Sequence, residues 1–166
     1  MGIFSRLLGK SENASAPAKE LYSPLSGQVI PLETVNDEAF AEKTMGDGLA
    51  IIPEEGKLYA PVSGVVEALF PTGHAVAING DNGLNVIIHI GIDTVEMGGN
   101  GFEAMVQQGD RVEAGQLLIT FDLEKIKAHG YEATTMVVLP DSSDYGPLQK
   151  KETGRVTPQD KLLWLS

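Results

Sequence analysis

Residues 74–90 read HAVAINGDNGLNVIIHI. Two apolar runs, 74–79 and 84–90, flank Asn79-Gly80-Asp81-Asn82-Gly83, a cluster of the residues that tolerate the backbone of a tight turn. The stretch therefore reads as a β-hairpin with a histidine at each outer end. Side chains alternate along a strand, so Val86, Ile88 and Ile90 share one face and Ile87 and His89 the other. If Ile78 pairs with Leu84 or a near neighbour, His74 falls opposite residue 88 or 89. The two imidazoles are then neighbours across the ladder, with Cβ atoms ~5 Å apart. Thr72 lies two residues before His74, where its hydroxyl can fix the tautomer of that ring.

Outward from this hairpin, Gly and Pro punctuate the chain, with 19 and 9 residues respectively. Short strands are expected at 27–32, 48–53, 57–62, 64–70, 116–122, 134–139 and 161–165, beside 74–79 and 84–90. One short helix is expected near 123–129, capped by Asp122 and ended by Gly130. Two echoes run through the chain. Ser23-Pro24-Leu25-Ser26-Gly27-Gln28-Val29 matches Ala60-Pro61-Val62-Ser63-Gly64-Val65-Val66. Arg111-Val112 before Leu117-Leu118 matches Arg155-Val156 before Leu162-Leu163. The fold class is all-β: an antiparallel sandwich or barrel built from duplicated hairpin elements. Residues 1–19, which include the small and polar SENASAPAK, read as a tail and linker, and 20–166 as the domain.

Composition excludes several functions. There is no cysteine, hence no disulfide scaffold, thiolate zinc site or cysteine nucleophile. Net charge is −11, and residues 21–147 carry 5 basic against 19 acidic residues, a net of −14. Such a surface repels nucleic acid and favours a basic protein partner. No apolar run approaches the ~20 residues of a membrane span. The opening MGIFSRLLGK lacks the long apolar core and cleavage site of a signal peptide, so none is expected. Ile3, Phe4, Leu7 and Leu8 could share one face of a short helix, so at most weak membrane-surface contact is expected from residues 1–10. The expected compartment is the cytoplasm.

Of three histidines, His129 stands at the end of the expected helix, where the helix dipole favours it. His89 has two readings from its strand alone. It is a satisfied histidine on a largely apolar face, or an imidazole held on a rigid strand with Gly91 opening space beside it. A neighbouring pair of imidazoles can transfer a phosphoryl group, one ring as nucleophile and the other steadying the phosphoryl oxygens. The same His74–His89 pair could hold zinc, completed by a carboxylate such as Asp93 or Glu96. No nucleotide-binding glycine motif is present.

Six segments carry a family resemblance: GDGLAI (46–51), APVSGVV (60–66), HAVAI (74–78), VIIHIGIDTVEM (86–97), GF (101–102) and GDRVEAGQ (109–116). Together they resemble the glucose-type enzyme IIA of the bacterial phosphoenolpyruvate-dependent sugar phosphotransferase system, over about residues 20–165. The resemblance implies an antiparallel β-sandwich that acts as a phosphocarrier. His89 would accept the phosphoryl group from the carrier protein HPr and pass it to a IIB domain of a sugar permease. His74 would be the accessory histidine and Thr72 its hydroxyl partner. Phe40 and Phe70 match partner-contact positions, and with Ile88, Gly91, Asp93 and Glu96 they would form the docking rim. Gly91 would leave the backbone exposed beside His89, so that a carbonyl can orient the ring and a partner side chain can enter. No cofactor is required, zinc at the histidine pair is an option, and the unphosphorylated form could bind regulated proteins.

Two other classes share features of the sequence. Biotinyl and lipoyl carrier domains use similar P-x-x-G-x-V and G-D-x-V units, and Glu103-Ala104-Met105 is present here. The attachment lysine that should follow is Val106, and no lysine lies between Lys57 and Lys125. A zinc-dependent interaction module would use the same two histidines. Phosphorylation by HPr separates these readings.

Overall fold

The computed structural model describes residues 18–165. The amphipathic stretch at 1–10 and most of the expected linker lie outside the described residues. The last two residues assigned to that linker belong to the folded domain. Asn82 Nδ2 donates to Ala18 O at 2.9 Å, Lys19 Nζ donates to Asn82 O at 2.7 Å, and Leu165 N donates to Lys19 O at 2.9 Å.

In chain order the strands are β1 (Glu20–Tyr22), β2 (Gly27–Pro31), β3 (Asp47–Pro53), β4 (Lys57–Tyr59), β5 (Gly64–Leu69), β6 (Ala75–Gly80) and β7 (Asn85–Ile92). They continue with β8 (Phe102–Ala104), β9 (Arg111–Val112), β10 (Leu117–Phe121), β11 (Glu132–Leu139), β12 (Leu148–Lys150), β13 (Gly154–Val156) and β14 (Lys161–Leu165). The nine expected strands are all present. Five short ones were not foreseen: β1, β8, β9, β12 and β13. None exceeds three residues, too short for alternation to register. The expected helix is α2 (Leu123–Ala128), with Asp122 accepting from Lys125 N. A second helix, α1 (Glu38–Ala41), corrects the expectation of a single one; Asp37 caps it by accepting from Ala39 N and Phe40 N. Among the described residues no helix is long and apolar enough to cross a membrane.

The main sheet has eight antiparallel strands in the order β9-β5-β6-β7-β11-β3-β2-β13. Two three-stranded sheets, β4-β10-β8 and β12-β14-β1, accompany it. The main sheet is open, which removes the barrel alternative and leaves the sandwich. One of its faces supplies Val29, Ile51, Val66, Ile78, Val86, Ile88, Ile90 and Val137 to a single core. Leu21, Leu118, Ile119, Leu162 and Leu163 of the small sheets complete that core. Each such side chain contributes roughly 1.5–3 kcal/mol by leaving water.

The two sequence echoes meet in space. The Gly64-Val65 segment pairs with Arg111-Val112, and Gly27-Gln28 pairs with Arg155-Val156. These two Arg-Val strands are the two ends of the main sheet. The proline segments also exchange backbone bonds: Tyr22 N donates to Pro61 O and Tyr59 N to Pro24 O, at 2.9 and 2.8 Å. The duplicated units thus interlock.

The opposite face of the main sheet is partly covered by the excursion between β2 and β3. Leu32, Val35 and Phe40 pack there on Ala50, Ile92, Met136 and Val138, forming a second, smaller cluster. This cover reaches the edge of His89.

Candidate functional site

The β6–β7 hairpin carries the site with a register that differs from the expected one. Ile78 pairs with Val86, Asn79 with Asn85 and Ala75 with His89. The loop between the strands holds four residues, 81–84, and within it Gly83 has φ +89°. Asn82 sets this length. Its side chain accepts from Leu84 N and donates to Ala18 O and Glu20 O, bonds to a distant segment that the hairpin alone does not reveal. His74 therefore lies opposite Ile90, whose N–H donates to the His74 carbonyl at 2.7 Å. His74 sits in the bend before β6, free of strand alternation, and turns its ring toward His89. The imidazole centroids are 4.8 Å apart and their planes meet at 78°.

Four rings form a row. Phe40 lies 5.2 Å from His89, His89 contacts His74, and Phe70 meets His74 edge-on at 5.6 Å. Both histidine Nδ1 atoms are engaged. His89 Nδ1 is 2.8 Å from Gly91 O. A carbonyl only accepts, so the hydrogen sits on Nδ1 and the Nε2 lone pair is free. His74 Nδ1 is bonded to the Thr72 hydroxyl, which can donate or accept.

Burial holds both rings neutral. It pushes the His74 pKa down to about 4, and the neighbouring His89 pushes in the same direction. The His89 pKa is also lowered by burial, against the opposing pull of the Gly91 carbonyl and of the Asp37 and Asp93 carboxylates.

The expected docking rim is only partly present. Phe70, 45% exposed, and the exposed Asp93 and Glu96 face solvent beside the histidines. Phe40 does not; at 5% exposure it is packed in the smaller cluster and its contact is with the His89 ring. Ile88 is 0% exposed, because strand alternation turns it into the main core, so it belongs to no rim. Gly91 is buried, with φ +81°. Its carbonyl orients the ring as expected, but its missing side chain opens no path for a partner. A Cβ there would run into Thr94 Cγ2 and stand 2.9 Å from Glu132 O. Two nearby residues were not singled out by sequence. Val95 is 47% exposed next to Asp93. Asp37, which caps α1, places its charge near His89, and an Asp ahead of the apolar Ala39-Phe40 pair was the available signal.

The profile of the family described as phosphoenolpyruvate-dependent sugar phosphotransferase system, EIIA 1, matches residues 19–145. The chain is 47% identical over 148 residues to the PTS system beta-glucoside-specific EIIBCA component of Halalkalibacterium halodurans. That match covers 89% of this chain and 23% of that protein, so the chain spans under a quarter of this longer relative. It is 41% identical over 154 residues to the glucose-specific EIIA component of the same organism, covering 90% of this chain and 89% of that protein. Among solved structures, glucose permease IIA from Mycoplasma capricolum superposes with a TM-score of 0.82 at 35% identity, covering 89% of this chain and 95% of that one.

Proposed function

Because this chain belongs to the EIIA 1 family of the phosphoenolpyruvate-dependent sugar phosphotransferase system, we propose that it carries a phosphoryl group on His89 Nε2. The group comes from phospho-HPr and goes to the IIB domain of a glucose or β-glucoside permease. The observation that carries this reading is the bond between His89 Nδ1 and Gly91 O. It leaves a neutral imidazole whose free lone pair points away from its own backbone. In the first transfer, that lone pair attacks phosphorus, the new N–P bond forms, and the P–N bond to the donor histidine breaks. No proton has to leave Nε2. The proton kept on Nδ1 makes the phosphorylated ring cationic, and hence a good leaving group for the second transfer to a IIB thiolate. The neighbouring His74 ring supplies a donor to the phosphoryl oxygens, since phosphoryl transfer is catalysed mainly by position and charge stabilisation.

Docking would use Phe70 and Val95 as apolar contacts, with Asp37, Asp93 and Glu96 as the acidic complement to a basic HPr face. The work would take place in the cytoplasm. This transfer needs no cofactor. Among the described residues no third His, Cys, Asp or Glu joins His74 and His89 in a metal-holding group. Zinc would therefore find two of its usual four ligands here and would need a partner to complete it.

Incubation with enzyme I, HPr and phosphoenolpyruvate should add one phosphoryl group, mapped by mass spectrometry to His89 as an acid-labile, base-stable phosphoramidate. His89→Ala should take up none. Full uptake by that variant, or mapping to His74 or His129, would overturn the assignment.

A further inference from the structure

The reading above makes His89 the acceptor but leaves open what holds the Gly91 carbonyl in place. Gly91 is the next-to-last residue of β7, where the strand runs into the turn that follows. This junction carries two positive φ values within three residues, +81° at Gly91 and +62° at Asp93, the second on a residue with a side chain. A backbone of this kind persists only where its surroundings over-determine it. Thr94 is the residue that does so. It is 0% exposed, an unusual place for a hydroxyl, and it opens the short 3-10 turn Thr94–Met97. Its Oγ1 donates to Ile90 O, tying the far side of the turn to the strand residue between His89 and Gly91. Its Cγ2 occupies the space beside the Gly91 Cα, with the Glu132 carbonyl on another side. The same Ile90 donates its N–H to His74 O. One residue's backbone therefore links the His74 bend, the His89 strand and the Thr94 hydroxyl.

We propose that Thr94 is a positioning residue for phosphoryl transfer. By holding the turn shut through Ile90 O, its hydroxyl aims the Gly91 carbonyl at His89 Nδ1 and keeps Nε2 as the free nucleophilic nitrogen. The inference rests on His89 being the acceptor. Its chemistry is simple. With the carbonyl in line, the hydrogen stays on Nδ1. When the turn relaxes, the hydrogen can move to Nε2, and a ring in that tautomer has no lone pair to offer phosphorus. Thr94 touches neither substrate nor phosphoryl group; it acts through Gly91.

The test uses the full chain in three forms: wild type, Thr94→Val and Thr94→Ser. Valine keeps the shape and loses the hydroxyl, whereas serine keeps the hydroxyl and loses Cγ2. Nitrogen-15 NMR of the histidine rings reads the tautomer directly, and stopped-flow uptake from phospho-HPr reads the rate. Wild type should show His89 as the pure Nδ1–H tautomer. Thr94→Val should show a mixture and a kcat for uptake lower by about tenfold, the lower end of what partners that orient a functional histidine supply. The KM for phospho-HPr should stay unchanged, because the docking face is untouched. Thr94→Ser should restore both tautomer and rate. A pure Nδ1–H tautomer at wild-type rate in Thr94→Val would overturn the proposal. So would a tautomer mixture in Thr94→Ser, a readout that stands even if the valine variant fails to fold. Site mapping of the phosphate in wild type is scored separately. Phosphate found elsewhere would remove the acceptor assignment while the tautomer result stood.

Discussion

The turn after His89 and the bend before His74 do similar work by different means. Each engages the Nδ1 of its imidazole. After His89 the partner is the Gly91 backbone carbonyl, and before His74 it is the Thr72 hydroxyl. A carbonyl can only accept, so His89 is committed to one tautomer. A hydroxyl can donate or accept, so His74 can pass between neutral and charged forms without losing its partner. Under the proposed function the difference amounts to a division of labour: a fixed nucleophile beside an adaptable helper. It also shows why His74, rather than His89, is the ring whose protonation should follow the phosphoryl group: His89 keeps its Nδ1 proton throughout. With its pKa held near 4, His74 is neutral in the resting protein. A negative charge at about the 4.8 Å ring separation raises that pKa. At an effective dielectric of ~20 each unit charge contributes about 3 kcal/mol, or roughly 2 pKa units. The two negative charges of a phosphoryl group on His89 are offset in part by the positive charge its ring gains, so the net of −1 raises the His74 pKa by roughly 2 units and shifts that ring toward protonation.

The largest break in this scheme should come from His74→Gln. Glutamine keeps a donor but cannot take the proton. The variant should still accept one phosphoryl group at His89, and single-turnover transfer from it to IIB should fall about a hundredfold, because a neutral amide replaces a cationic donor, a loss on the scale of ~3 kcal/mol. A wild-type transfer rate would show that the second histidine is structural and that the division of labour is wrong.

Much of this was legible in the sequence, and all the misses but one trace to contacts made far along the chain. The hairpin, its two histidines and the alternation of β7 are local properties, and Asn79 to Gly83 announced the turn. The register was misjudged because Asn82 answers to Ala18 and Glu20, more than 60 positions away in the chain. Phe40 looked like an exposed contact because nothing local says that residues 32–41 fold back over Met136 and Val138. Ile88 sat on the core face by the same alternation that placed His89 outside, so its rim assignment came from the family resemblance and conflicted with the strand pattern. Gly91 was rightly linked to the ring. Its lack of a side chain serves Thr94 and Glu132, however, and both contacts form only after the turn closes and β11 docks.

A second, smaller effect sharpens the comparison through pH. Both histidines titrate lower in the folded protein than in the unfolded chain. Between the folded and unfolded pKa values the unfolded state binds more protons, so stability falls as pH drops through 6.5 toward about 4. For His74 the loss has an upper bound of roughly 3 kcal/mol. Thermal melts across this window should show a decline that is shallower in His74→Gln. Phosphorylation of His89 should shrink the decline too, because the phosphoryl charge favours the His74 cation. Identical slopes in wild type and His74→Gln would mean that His74 does not resist protonation, and the adaptable half of the pair would lose its basis.

The smallest effect should come from Thr72→Val, which tests whether the hydroxyl commits His74 or only steadies it. Valine preserves the branched shape and removes the one group bonded to His74 Nδ1. A neutral hydrogen bond contributes about 1 kcal/mol net, so losing it should slow transfer from phosphorylated protein to IIB by about fivefold. That is well short of the loss in His74→Gln. Uptake at His89 should be unchanged, since the Gly91 carbonyl is untouched. The ring should also become easier to move without becoming easier to charge: burial, the leading cause of its low pKa, stays the same. NMR titration of His74 in Thr72→Val should therefore give a pKa close to the wild-type value, alongside broader ring signals. A loss as large as that of His74→Gln would mean that His74 works only in the one tautomer its hydroxyl enforces. The two turns would then be alike in commitment, each fixing its ring, and the contrast drawn between carbonyl and hydroxyl would fail.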